Sequence, residues 1–193
     1  MSNENAKAID VVASGLVANT GASEGARATG KYVVECHDKD GNLKWAAETD
    51  NLVVNVGLQY LAGCGLTSTT QITTWYIGLY GAGASNTPAA SDTLSSHAGW
   101  TEITPYSGNR PSVTFAAATN ANPSVVTNSA SKAQFTMNAT ATVGGAFLCS
   151  AASGTTGTLF SAADFSSPGD RSVVSGDVLS VDRKSTRLNS SHT

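Results

Sequence analysis

The sequence predicts an all-β protein, a β-sandwich of jelly-roll or immunoglobulin-like kind with one short helix. Two observations carry this prediction. From Ile72 onward, apolar and polar residues alternate with a period of two, which is the pattern of strands that bury one face. These segments are short and are separated by glycine-rich turns at regular spacing, which is typical of sandwiches.

The N-terminal half of the predicted domain begins with a strand, a turn and a second strand. Residues 32–36 are rich in β-formers, residues 38–42 carry turn residues, and residues 43–46 return to a strand pattern. We expect Trp45 in the second strand to lie in the sandwich core, because a buried indole removes a large apolar area from water.

A single helix is predicted from about Val53 to Leu61, with Asn51 as its cap. Val53, Val56, Leu58 and Leu61 recur near helical spacing. Gly57 lowers the stability of such a helix by about 1 kcal/mol relative to alanine.

The clearest alternation begins at residue 75. Residues 75, 77 and 79 are predicted to face one side and residues 76, 78 and 80 the other. We expect Trp75 to lie in the core, and the pattern leaves the position of Trp100 open. An exposed row that included Tyr76, Tyr80 and Trp100 would be able to stack on sugar rings.

Residues 133–149 share one alternation parity, with apolar residues at 133, 135, 137, 141, 143, 147 and 149. This length exceeds that of an ordinary strand. The sequence therefore predicts a turn at 138–140 or a bend at the Gly144–Gly145 pair. Further turns are predicted at 154–157, and at 175–177 between strands 171–174 and 178–181.

The chain divides into three parts. Residues 1–30 are rich in Ala, Ser, Gly and Asn and are expected to form a flexible N-terminal arm. Residues 31–181 are expected to form the sandwich domain. The last twelve residues, DRKSTRLNSSHT (182–193), resemble a translated sequencing adapter, so we expect a non-native tail and a missing native end.

The charge balance argues against a nucleic-acid partner. Without the tail, Lys+Arg falls from 11 to 8 and Asp+Glu from 14 to 13, which takes the net charge from −3 to −5. Nucleic-acid binding needs clustered Lys and Arg. Charged residues make up 13% of the chain, against roughly 25% in ordinary soluble domains, and small polar residues that are easily buried in an assembly replace them.

No disulfide, metal or membrane segment is predicted. Cys36, Cys64 and Cys149 are odd in number and widely spaced, and His37 and His97 lack ligand-like spacing. No apolar run approaches the roughly 20 residues that cross a bilayer, and no basic segment precedes residues 11–18 to make them a signal peptide.

Three short patterns suggest chemistry but fit simpler structures better. Residues 21–25 match G-x-S-x-G, but they lie in a low-complexity segment without the strand and helix of a nucleophile elbow. Asp38-x-Asp40-Gly41 resembles the start of a calcium loop, but the later ligands are missing, which favours a hairpin turn. His97 follows Asp92 and two serines, yet nothing in the spacing fixes a catalytic geometry. We therefore predict no catalytic, cofactor-binding or metal-binding residues.

Several segments together resemble a family of uncharacterised tailed-phage proteins. They are WYIGL (75–79), SHAGWTE (96–102), NRP (109–111), NSA (128–130), GGAFL (144–148), GTTGTL (154–159) and RSVVSGD (171–177). The resemblance covers about residues 31–181, and its motifs consist mainly of turn and packing residues.

The resemblance implies a non-enzymatic virion structural protein, assembled in the bacterial cytoplasm, that decorates the capsid or belongs to a head fibre. Its partners would be other capsid or tail proteins and further copies of itself, with no nucleic acid, membrane or cofactor. The alternative is a receptor- or glycan-binding module of a phage tail or fibre. A cell-wall hydrolase would require converging carboxylates or a catalytic triad in a pocket.

Overall fold

Two antiparallel sheets face each other in the computed structural model, which describes residues 26–81, 87–121, 123–165 and 169–189. The predicted all-β sandwich with one helix is therefore confirmed. Elements are numbered in chain order. The α-helix α1 spans Asn55–Leu66, and a single 3-10 turn spans Ser129–Ser131.

The first sheet has five strands, in the order β2-β1-β12-β7, with β8 also paired to β12. Its strands are β1 (Ala26–His37), β2 (Leu43–Asp50), β7 (Ser124–Thr127), β8 (Ala133–Thr136) and β12 (Val178–Asn189). The predicted hairpin at residues 38–42 joins β1 to β2. Gly41 there has a φ of 85°, a conformation that glycine adopts without strain.

The second sheet has seven strands, in the order β3-β10-β9-β4-β5, with β11 paired to β9 and β6 paired to β4. Its strands are β3 (Leu52–Val53), β4 (Trp75–Gly81), β5 (Glu102–Ile103), β6 (Ser112–Val113), β9 (Ala141–Cys149), β10 (Leu159–Asp164) and β11 (Arg171–Val173). The predicted turn at 175–177 connects β11 in this sheet to β12 in the other.

The main core lies between the two sheets. Its largest buried side chains come from both of them: Tyr32, Ile77, Leu79, Phe135, Met137, Leu148 and Leu179. Trp45 and Trp75 pack against this core and are half-buried, so the prediction that they fill it holds in part.

A second apolar cluster covers the opposite face of the seven-stranded sheet. Residues 94 and 100, from the loop before β5, pack there on Tyr80 and Phe147. The Tyr80 ring lies over Gly145 and the Phe147 ring lies over Gly78, so each aromatic occupies the space above a glycine of the neighbouring strand. Because both faces are covered, four consecutive residues of β4, 77–80, are buried, and the predicted alternation of its two faces is confirmed.

The predicted cap of the helix is wrong. α1 begins at Asn55 after Val54, and no side chain caps it. Asn51 instead lies beside β1, where its backbone N–H donates to the carbonyl of Gly30 at 2.9 Å. The helix is held by packing, because Gly57 lies directly against the backbone carbonyl of Phe160.

The predicted parity of residues 141–149 is also wrong beyond Val143. The turn at 138–140 separates β8 from β9 as expected, but the register of β9 against β4 shifts between Val143 and Gly145. Residues 146 and 148 consequently face the main core, whereas Phe147 and Cys149 face the second cluster. One bulge reverses the side on which every later residue lies.

The strands do not end at the predicted domain boundaries. β1 begins at Ala26, inside the expected arm, and β12 continues through residues 182–189 of the expected tail. The two segments pair with each other, Ala26 opposite Asn189 and Gly30 opposite Ser185, so each supplies the hydrogen-bond partners of the other.

Candidate functional site

The outer side of α1 is apolar and exposed. Leu58, Leu61 and Leu66 are 45%, 41% and 87% exposed, and the remaining exposed positions of the helix carry no charged side chain. Burying such side chains is favourable by roughly 25 cal/mol per Å² of apolar surface. Covering this surface of the helix with another molecule would therefore lower the free energy.

A groove of about 770 Å³ lies beside this helix. Aromatic side chains form its apolar part. The rings of Tyr60 and Trp75 meet edge to face with centroids 5.3 Å apart, and those of Trp75 and Phe160 meet similarly at 5.4 Å. The hydroxyl of Tyr60 accepts the backbone N–H of Ile72 at 2.8 Å, which fixes the loop that follows α1 against the groove.

Neutral polar side chains also line the groove: Gln71, Thr73, Thr74, Ser112, Thr114 and Ser185. Among the described residues that line it, Arg183 alone carries a charge. The sequence accounts for this neutrality, because residues 51–91 and 111–131 contain no Asp, Glu, Lys, Arg or His. We call the outer side of α1 and this groove together the neutral face.

The aromatic row considered from the sequence is not exposed. Tyr80 and Trp100 are buried in the second cluster, and Tyr76 is half-buried against it. The indole N–H of Trp100 donates to the Asp92 carboxylate at 3.0 Å, which also accepts the backbone N–H of Ala89. Tyr80 and Trp100 thus hold a loop onto the sheet, and no sugar can reach their faces.

His97 and Asp38, which the sequence patterns singled out, make contacts that stabilise local structure. The ring of His97 stacks on Trp100 with centroids 3.7 Å apart, and its Nδ1 lies 2.9 Å from the carbonyl oxygen of Trp100. Asp38 accepts the backbone N–H groups of Asp40 and Asn42 at 2.9 Å each, as a hairpin turn requires. These hydrogen bonds hold the pKa of Asp38 below its usual value.

No metal-binding cluster of three or more His, Cys, Asp or Glu occurs in the part of the chain that the structure describes. Cys36, Cys64 and Cys149 are unpaired thiols. The G-x-S-x-G match at 21–25 lies outside the described residues. Among the described residues, no helix has the length and hydropathy that a membrane span needs.

A shallow cleft of about 560 Å³ contains Glu48, Asp50 and Asp164. Lys31 lies 2.6 Å from Glu48 and 3.7 Å from Asp50, and all three of these side chains are exposed. The hydrogen bond to Lys31 lowers the pKa of Glu48, while partial burial and then Asp170 raise the pKa of Asp164. Lys31 neutralises the exposed carboxylates, and the arrangement resembles a surface ion-pair cluster.

The best-formed polar site of the described residues was missed by the sequence analysis. The buried guanidinium of Arg110 binds Glu102 at 2.7 and 2.5 Å and the carbonyls of Ala151 and Gly154 at 2.9 and 2.8 Å. The spacing of residues 102 and 110 gives no hint of this, because a loop brings them together. The site ties that loop to the β9–β10 turn.

No protein-family model, no curated protein and no solved structure matches this chain.

Proposed function

We propose that this protein is a non-enzymatic structural protein of a tailed-phage particle, in a capsid-decorating or head-fibre role. It assembles in the bacterial cytoplasm with other virion proteins and with further copies of itself. It takes no cofactor, and neither nucleic acid nor membrane is among its partners. The turn and packing motifs at 96–102 and 144–148 support this proposal through the family that they resemble.

The neutral face is the structural observation that carries the proposal. Exposed leucines on α1 adjoin a groove whose uncharged polar groups are hydroxyls and an amide, and the charged group that lines it, Arg183, is already buried. A partner protein can cover such a surface without desolvating charges, which is the main cost of burying polar groups at an interface. The remainder of the chain, with its net negative charge, stays in solvent.

The test is co-expression of the chain with the genes found beside its own, followed by gradient sedimentation and mass spectrometry of any particles that form. We expect the chain to sediment with the particle. Leu61→Glu, on the neutral face, should reduce its occupancy, whereas Leu43→Glu, at a more exposed leucine of β2, should not. A chain that never leaves the soluble fractions contradicts the proposal.

A glycan-binding role is the second candidate, and the groove is the observation that favours it. Trp75 and Tyr60 supply aromatic rings, and Gln71 and Thr74 supply hydrogen-bonding groups, the combination that recognises neutral sugars. A glycan array separates the two candidates. Binding that Trp75→Ala abolishes favours the glycan module, and an array without binding removes it.

A further inference from the structure

The groove of the neutral face lies at one end of the sandwich. On the seven-stranded sheet it is lined by Trp75, the first residue of β4, and by Phe160, the second residue of β10. On the five-stranded sheet it is lined by Arg183 and Ser185 of β12. The groove is thus a gap that the two sheets leave between them at the end where β4 and β10 begin.

Strand β1 begins at this same end. Gly30 lies opposite Ser185, and β1 extends four residues further, to Ala26 opposite Asn189. At about 3.4 Å per residue, Ala26 lies roughly 13 Å along the strand from the pair at Ser185. The chain that leads into β1 therefore joins the domain close to the open end of the groove.

An apolar stretch precedes β1 in the sequence. Residues 11–18, VVASGLVA, contain three valines and one leucine and no charged residue. They lie outside the described residues, and the sequence analysis left them without a role once a signal peptide was set aside. Burial of their aliphatic side chains is favourable by roughly 25 cal/mol per Å² of apolar surface.

The connection between this stretch and β1 is long enough to reach the groove. Residues 19–25, NTGASEG, join the stretch to Ala26. Seven residues span at most about 25 Å when fully extended, roughly twice the distance from Ala26 back to the pair at Ser185. Gly21 and Gly25 ease a reversal of direction, because glycine adopts turn conformations without strain. Residues 11–18 can therefore lie along the groove while β1 stays in place.

This covalent connection favours residues 11–18 over a separate molecule as the occupant. A short connection gives an effective concentration on the order of millimolar, so a weak contact is enough to fill the groove. The groove of about 770 Å³ is large enough for several side chains. The lack of charge in the stretch matches a lining whose one charged group among the described residues, Arg183, is buried.

We propose that residues 11–18 occupy the groove of their own molecule, with their valine and leucine side chains against Trp75 and Phe160. A glycan or a partner segment must displace them before it enters the groove. Leu58 and Leu66, on the outer side of α1, stay uncovered. The contact goes beyond the virion role, and purified protein tests it, so its failure is distinguishable from failure of that role in particle sedimentation.

Paramagnetic relaxation measured by NMR in the full chain tests the contact. A nitroxide on Ser14→Cys, in a Cys64→Ser background, places a single label in the stretch, because the other two cysteines are buried. We expect the label to broaden the amide signals of residues 71–75 and 112–116, which border the groove. The signals of the hairpin at 38–42, at the opposite end of β1, should stay sharp.

A charge placed in the stretch supplies the matched comparison. Leu16→Lys should reduce the broadening by about tenfold or more, because an ammonium group is costly to bury in a groove that already contains Arg183. Thr20→Lys adds the same charge to the connecting residues and should leave the broadening unchanged. Absence of broadening at the groove, or an equal response of the two variants, overturns the proposal. So does broadening that passes at full strength from a nitroxide-bearing copy to a separate, isotope-labelled copy.

A synthetic peptide of residues 9–20 gives a second measurement. In the unaltered chain the peptide must compete with the tethered stretch, whereas in Leu16→Lys the groove is open. The peptide should therefore bind Leu16→Lys about tenfold or more tightly than it binds the unaltered chain, measured by the shift of the Trp75 indole signal. Equal affinities would mean that the groove is empty in the unaltered chain and would refute the contact, as would a lack of binding to both.

Discussion

Arg110 and Arg183 are both buried, yet their surroundings differ. Arg110 uses all its guanidinium N–H groups, on Glu102, two carbonyls and the sulfur of Cys149. Arg183 has one hydrogen bond from Nε to Ser161 at 3.3 Å, and its buried Nη2 has no partner among the described residues. Its guanidinium lies over the ring of Phe160, 4.8 Å from the centroid.

The pKa values follow the same contrast. Burial is the largest single influence on Arg110 and opposes its charged form, but the hydrogen bonds and charge of Glu102, together with Cys149 and Tyr106, outweigh it and raise the pKa of Arg110. Burial lowers the pKa of Arg183, and the opposing effect of the neighbouring Tyr32 hydroxyl is too small to restore it. The first arginine belongs to a complete polar site, and the second is a buried charge whose neighbours are neutral hydroxyls and aromatic rings.

Position 183 continues the inward alternation of Leu179 and Val181 in β12. An apolar residue would suit it.

The largest effect is expected at Arg110. Arg110→Met should lower the free energy of unfolding by about 3 to 5 kcal/mol, because it leaves Glu102 and two carbonyls without their donor. Denaturant unfolding measures this. Lys31→Met, which removes an exposed ion pair, should have a much smaller effect. Equal losses in the two variants would contradict the distinction between a complete buried site and a surface pair.

Arg183→Leu should change stability in the opposite direction. We expect it to raise the free energy of unfolding by roughly 1 to 4 kcal/mol, because an aliphatic side chain fills the site without burying a charge. Lys184→Leu, at the exposed neighbouring position, should change stability by less than about 0.5 kcal/mol. A marked loss of stability in Arg183→Leu would mean that the guanidinium has an essential partner.

The smallest effect is expected at Ser161, whose hydroxyl contacts both Arg183 and the hydroxyl of Tyr32, the latter at 3.0 Å. Ser161→Ala should cost about 1 to 3 kcal/mol, since it leaves buried donors without an acceptor. In the Arg183→Leu background the loss should be smaller. A double-mutant cycle measures the coupling, and strict additivity would show that the Nε contact contributes nothing.

Local sequence patterns predicted those elements whose conformation depends mainly on residues close together in the chain. The hairpin at 38–42 follows from its turn residues, and the alternation in β4 follows from its side-chain period. The bulge at Gly144–Gly145 was foreseen only as a possible bend. Its effect on Phe147 and Leu148 depends on the register with β4, which no residue near them specifies.

The neutral face was likewise predictable from the sequence only in part. That residues 51–91 lack charge is plain in the sequence, but their convergence with residues 112–118 on one groove is not. The burial of Trp100 and the pairing of Arg110 with Glu102 depend on loops that cross the sheet. Which residues Trp100 and Arg110 contact is determined by the position of these loops on the sheet surface.

The sequence by itself determined the fold class, the strand-rich middle of the chain and the lack of charge in residues 51–91 and 111–131. Side-chain period and composition are local properties. Only the tertiary structure decided which aromatics are buried, which arginine is satisfied and which surface remains uncovered. These depend on contacts between residues far apart in the chain, and such contacts exist only once the two sheets have packed.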